Sequence, residues 1–210
     1  VPDDPSFGAQ WGLDNQGQDG GLEDADIDAP EAWAHTTGSP AVVVAVIDSG
    51  LDLDHPDLAA NLWTNPGESG VDGRGRDKAG NGVDDDGNGL VDDVHGWDFI
   101  GRDNQPQDSV GHGTHCAGII GAVGYDGLGV SGVAWRVGLL PLRIFDGYGG
   151  SVSDAIAALD HAVAMGCRSA RIPTVSPAPR GPSPRPWTTR ARPATSAWRR
   201  PATTPATSIA

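Results

Sequence analysis

An α/β domain built on a parallel sheet is predicted by three kinds of stretch in this 210-residue chain. "AVVVAVIDSG" (41–50) is an unbroken, β-branched apolar run closed by Asp, Ser and Gly, the pattern of a strand buried on both faces. "RVGLLPLRIF" (136–145) is a second run of that kind. "HGTHCAGIIGAV" (112–123) and "SVSDAIAALDHAVAMG" (151–166) carry apolar residues at helical spacing. Strand, helix, strand, helix between Asp26 and Gly166 implies right-handed crossovers onto one parallel sheet.

The first strand ends in Asp48, so chemistry is expected at that edge, outside the carboxyl ends of the strands. The last helix has Ser153 as its predicted N-cap and Gly166 as its C-terminal stop. Beyond Gly166 the periodicity vanishes. All 28 acidic residues precede Arg168, whereas residues 168–210 hold eight of the fourteen basic residues and nine of the seventeen prolines. Proline at that density suits neither helix nor central strand, so 167–210 is expected to be a disordered tail. It is either a natural Pro/Arg linker or the product of a reading-frame change near Cys167. In a shifted frame each codon takes the third base of one apparent codon and the first two of the next. Ala197 to Thr204 can then decode as "VAAAGND".

Composition narrows the function. A formal charge of -14 argues against nucleic acid, which needs Lys and Arg to displace phosphate counterions. No apolar run reaches the length of a membrane span, and "VPDDPSFGAQWGLDNQ" lacks the charged start and apolar centre of a signal peptide, so it reads as a mature or trimmed start. Two cysteines, Cys116 and Cys167, cannot build a disulfide framework, and Cys116 sits in a run of small residues that looks buried.

Two motifs carry chemistry, "VIDSGLDLDHPDL" (46–58) and "DSVGHGTHCAG" (108–118). The paired histidines of the second could be zinc ligands, but the glutamate of H-E-x-x-H is absent. They could also be packing residues, and Asp48 could merely cap a turn. Together, in this order and spacing, the motifs resemble the subtilisin-like serine peptidases, the subtilases, over about residues 1–166. The resemblance implies a three-layer subtilisin-like fold with a central parallel sheet, incomplete in its C-terminal half. It implies His112 as the general base and Asp48 as the carboxylate that orients it, with His115 structural. Gly111 and Gly113 are expected to leave room for substrate backbone and let the helix begin abruptly. "FDGYGGSVS" (145–153) resembles the segment that pairs with extended substrate, through Gly147, Tyr148, Gly149 and Gly150.

The segment 77–95 contains "DKAGNGVDDDGNGLVDD". Asp84, Asp86 and Asn88 at alternate positions before Gly89 match the opening of a calcium loop. The closing glutamate is replaced by His95, so closure is expected through Asp92 or Asp93. Such inserts imply Ca²⁺ by resemblance, against the plainer reading of a solvated acidic loop. A second Ca²⁺ site, by resemblance, pairs Asp4 with Asp57.

The "GTSMA" motif that carries the family's serine occurs nowhere, and the in-frame "AAGN" strand that supplies its oxyanion asparagine is missing. The expectation is a subtilisin-type endopeptidase by family, secreted, monomeric and acting on protein or peptide substrates, that is inactive as this chain stands. The alternatives are a non-enzymatic calcium-binding or interaction fragment and a pseudo-protease.

Overall fold

The structure, a computed structural model, describes residues 1–172. Four parallel strands form one sheet in the order β2, β3, β1, β4, where β1 is Gly38–Asp48, β2 Trp97–Asp98, β3 Arg136–Arg143 and β4 Ser169–Arg171. Helix α1 is Ala29–Trp33, α2 is His112–Gly121 and α3 is Val152–Ala164. The α/β class and the parallel sheet follow the expectation from sequence.

Alternation along β1 explains the layers. Ala45 and Ile47, with no exposure, pack with Leu140, Leu142 and the α3 residues Ala158 and Ala162. Val46 turns to the other face, against Leu139, Val137 and the α2 residue Ala117. A strand apolar on both faces must be covered twice, by a helix on each side. Each of the buried Val, Leu and Ile side chains contributes roughly 1.5–3 kcal/mol of apolar transfer, and each alanine methyl about 0.8 kcal/mol. Among the described residues no helix is long and apolar enough to cross a membrane.

Three details differ from the expectations. Helix α3 is capped by Ser151, whose hydroxyl accepts the amides of Ser153 and Asp154, so Ser153 lies inside the first turn. Gly166 does end the helix region, at φ +73°. The second difference is β4: residues 169–171 pair with Val44–Val46, although they belong to the predicted disordered tail. Backbone pairing requires amides and carbonyls rather than a particular side chain, and the first proline of the tail comes only at 173. Residues 173–210, the rest of that tail, lie outside the described residues.

The third is Gly113. A Cβ there would stand 2.1 Å from the Gly50 carbonyl and 3.2 Å from Asp48 Cβ. The glycine therefore seats α2 on the end of β1, whereas the space around Gly111 is open and its φ is +89°. Only a residue free of the left-handed penalty fits easily before His112.

Candidate active site

Strand β1 delivers Asp48 to the sheet edge, and α2 begins at His112 directly above it. His112 Nδ1 lies 2.6 Å from Asp48 Oδ1, an oxygen that also accepts the Ser49 amide at 2.7 Å. The Asp48 side chain is fully buried, while the His112 side chain is 49% exposed, so the ring presents its far nitrogen side to solvent. A carboxylate so placed fixes the ring's orientation and tautomer. Among the described residues no serine hydroxyl is hydrogen-bonded to this ring.

The remaining oxygen, Asp48 Oδ2, is bound by Arg171 Nη1 at 2.5 Å. Arg171 stands opposite Val46 in the β4 register and reaches forward along β1. Sequence reasoning could not find this contact, since nothing local marked residue 171 as part of the sheet.

Asp108 holds the motif together. Its Oδ1 accepts the Ser49 hydroxyl and the Val110 and Gly111 amides, and its Oδ2 accepts the amide and hydroxyl of Thr114. Burial alone would raise its pKa, but these hydrogen bonds outweigh burial and hold it below the ordinary value. Ser49 in turn accepts the Gly113 amide, tying β1 to the first turn of α2. The motif itself assigns Asp108 no role; its position just ahead of a helix start is the local signal for one.

The other sequence-predicted residues fall as follows. His115 is exposed and borders an apolar groove with His55, Leu58, Ile119 and Val133. Cys116 lies one turn beyond His112, its sulfur within 4.8 Å of ligand-type atoms of Asp48 and His112. Burial pushes its thiol up, partly opposed by Arg171. Gly147, Tyr148, Gly149 and Gly150 follow β3 as an exposed loop, with Tyr148 97% exposed. Asp146 Oδ1 accepts the amides of Tyr148 and Gly149, and a Cβ at Gly147 would touch Val110, so the loop borders the approach to His112.

Of the predicted metal residues, Asp4 and Asp57 grip one loop. Asp4 accepts the Tyr125 and Asp126 amides and the Ser131 hydroxyl, while Asp57 Oδ2 accepts the Val130 amide. Asp57 Oδ1 is buried and has no hydrogen-bond partner among the described residues. Burial pushes Asp57 up, and nearby Asp126 and Asp4 add to that. A buried carboxylate oxygen without a hydrogen-bond donor suits a hard cation.

In the insert, Asp84 accepts the Gly87, Asn88 and Gly89 amides and Asp92 the Gly82 amide. Asn88 donates its backbone amide to Asp86 and its side-chain amide to Asp93, which is fully buried. Burial, with Asp86 and Glu68 nearby, pushes its carboxyl up to about 6. His95 instead turns to the Trp63 carbonyl. The oxygens of Glu68, Asp86 and Asp93 lie within 4.8 Å of one another, so acidic clusters able to hold a metal are present.

A family model described as the subtilase family matches residues 39–198. Thermitase of Thermoactinomyces vulgaris is 32% identical over 158 residues, 75% of this chain and 41% of thermitase. The extracellular basic protease of Dichelobacter nodosus is 34% identical over 158 residues, 73% of this chain and 24% of that protein. The crystal structure of an Aeromonas sobria serine protease with its chaperone aligns with TM-score 0.51 and 28% identity, over 75% of this chain and 23% of that one. The chain thus spans less than half the length of these relatives.

Proposed function

The chain belongs to the subtilase family, and on that premise we propose that residues 1–166 are the Asp/His-bearing part of a subtilisin-type serine endopeptidase domain. The single observation that carries this is the 2.6 Å contact of His112 Nδ1 with a fully buried carboxylate, the ring's other side open to solvent. In that arrangement His112 would take a proton from an attacking serine hydroxyl and return it to the leaving amine, with Asp48 stabilising the imidazolium. Gly147 to Gly150 would receive extended substrate backbone beside the ring. Ca²⁺ would be a structural cofactor, held by Asp4 and Asp57 on one loop and by the acidic insert, with Asp84, Asp86, Asn88 and Asp92 in its ligand loop. The name of the Dichelobacter relative supports a secreted setting.

This polypeptide supplies neither "GTSMA" nor the oxyanion asparagine in frame, so it hydrolyses no amide bond by itself. Residues 167–210 are an out-of-frame tail. Incubating the purified chain with denatured casein, with and without a serine-directed fluorophosphonate, tests this: neither hydrolysis nor labelling is expected, and labelled, active protein would overturn it. The nucleotide sequence around the Cys167 codon supplies the second arm, since one shifted frame should restore both missing motifs.

An alternative function, a non-enzymatic calcium-binding or interaction fragment, is favoured by the Arg171 contact with Asp48, which gives the carboxylate a permanent cation independent of the imidazole. An uninterrupted natural frame through codon 167 would support it.

A further inference from the structure

The insert lacks the glutamate that would close a calcium loop at position twelve, where His95 stands. Glu68 lies upstream of the insert, and the chain folds it back over the loop. It has no exposure. Its Oε1 accepts the amides of Asp85 and Asp86 at 2.7 and 3.1 Å, which orients the carboxylate along the loop. Its Oε2 is buried and has no hydrogen-bond partner among the described residues.

The Glu68 carboxylate belongs to a group, with Asp86 and Asp93, in which one ligand atom of each lies within 4.8 Å of the others. Asp93 is buried, and each of its oxygens takes one asparagine amide, from Asn65 at 2.8 Å and Asn88 at 3.0 Å. Asp86 is exposed and forms the mouth. Gly67 permits the approach: a Cβ there would stand 2.4 Å from Asp86 Cβ. Nearby cationic groups are spent elsewhere. Lys78 Nζ donates to the Gly67 carbonyl, and Arg102 pairs with Asp154. The His161 ring is 3.5 Å from Asp93, with burial disfavouring its charged form.

Two fully buried carboxylates and a third at the mouth, without an arginine or lysine among the described residues paired to them, leave charge that only a bound cation would offset well. The donors are all carboxylate oxygens carried on loops, a hard donor set that suits calcium over softer metals. We propose that Glu68 closes a calcium site with Asp86 and Asp93, replacing the glutamate that the insert lacks. This rests on the reading of the insert as a calcium loop and adds a ligand from outside it.

The test is calcium titration of the full chain by calorimetry, with thermal unfolding in chelator and in calcium, for wild type, Glu68→Gln, Asp84→Asn and Asp57→Asn. Glu68→Gln should weaken one class of site at least tenfold and lose its part of the calcium-induced rise in Tm. Because it removes a buried charge, it should unfold in chelator no earlier than wild type, which separates lost binding from lost folding. Asp57→Asn should weaken a different class. If Asp84→Asn weakens binding and Glu68→Gln does not, the insert binds calcium and the role of Glu68 is overturned. If neither changes binding, the insert itself is no calcium site and both ideas fall.

Discussion

Arg171 Nη1 sits 2.5 Å from Asp48 Oδ2, the oxygen that His112 does not use. Arg171 is 38% exposed at its side chain and Asp48 is not exposed at all, so a half-solvated cation offsets a fully buried charge. Arg171→Gln should cost about 1–2 kcal/mol, below the 3–5 kcal/mol typical of a wholly buried pair because water screens the guanidinium. Urea denaturation measures it, and Arg171→Lys should recover part of the loss; a neutral result would mean that the pair does not hold β4 to β1.

Gly113→Ala should destabilise by about 1–3 kcal/mol, since the new methyl meets the Gly50 carbonyl and α2 must lift from β1. Gly111→Ala has open space but a positive φ, so its cost of about 1 kcal/mol comes from the backbone alone. Denaturant midpoints for the two variants should rank in that order.

Asp108 governs the acid limb of stability. Its pKa is lowered in the folded state, so its contribution is complete above the ordinary value of 3.8 and is lost as pH falls through the folded value below it. Asp108→Ala should lose about 1–2 kcal/mol at neutral pH by releasing the α2 start, and its stability should fall less steeply than wild type below pH 4. Thermal unfolding across acidic pH checks both.

Cys167 is pushed up to about 11 by burial, and burial raises Cys116 as well. Neither thiol should react appreciably with an alkylating reagent at neutral pH until the chain is unfolded, because the thiolate is the reactive form. Rapid native-state labelling at either position, followed by mass spectrometry, would contradict the packing described.

Much of the scaffold was legible because burial imposes a period. Ala45 to Ile47 and Leu139 to Leu142 had to be apolar on both faces, and the small residues of α2 had to let it approach β1. Asp48 and His112 were legible as a pair because two motifs marked them. Contacts made across long sequence separations were not: Arg171 meets Asp48 from a segment with no strand pattern, and Glu68 meets the insert from a loop whose only local mark is a Pro-Gly turn. Ser151 displaced Ser153 as the cap because either serine satisfies the local rule, and only the chain path decides which hydroxyl reaches the free amides.

The most direct measurement is the ¹⁵N-coupled NMR signal of the His112 Nδ1 proton in the full chain, compared with Asp48→Ala, with backbone amide dispersion verifying that the variant is folded. The geometry predicts a strongly deshielded, slowly exchanging Nδ1 proton in the wild type that disappears in the variant. A wild-type spectrum without that proton, or one that Asp48→Ala leaves unchanged, would contradict the pairing on which the proposed peptidase chemistry depends.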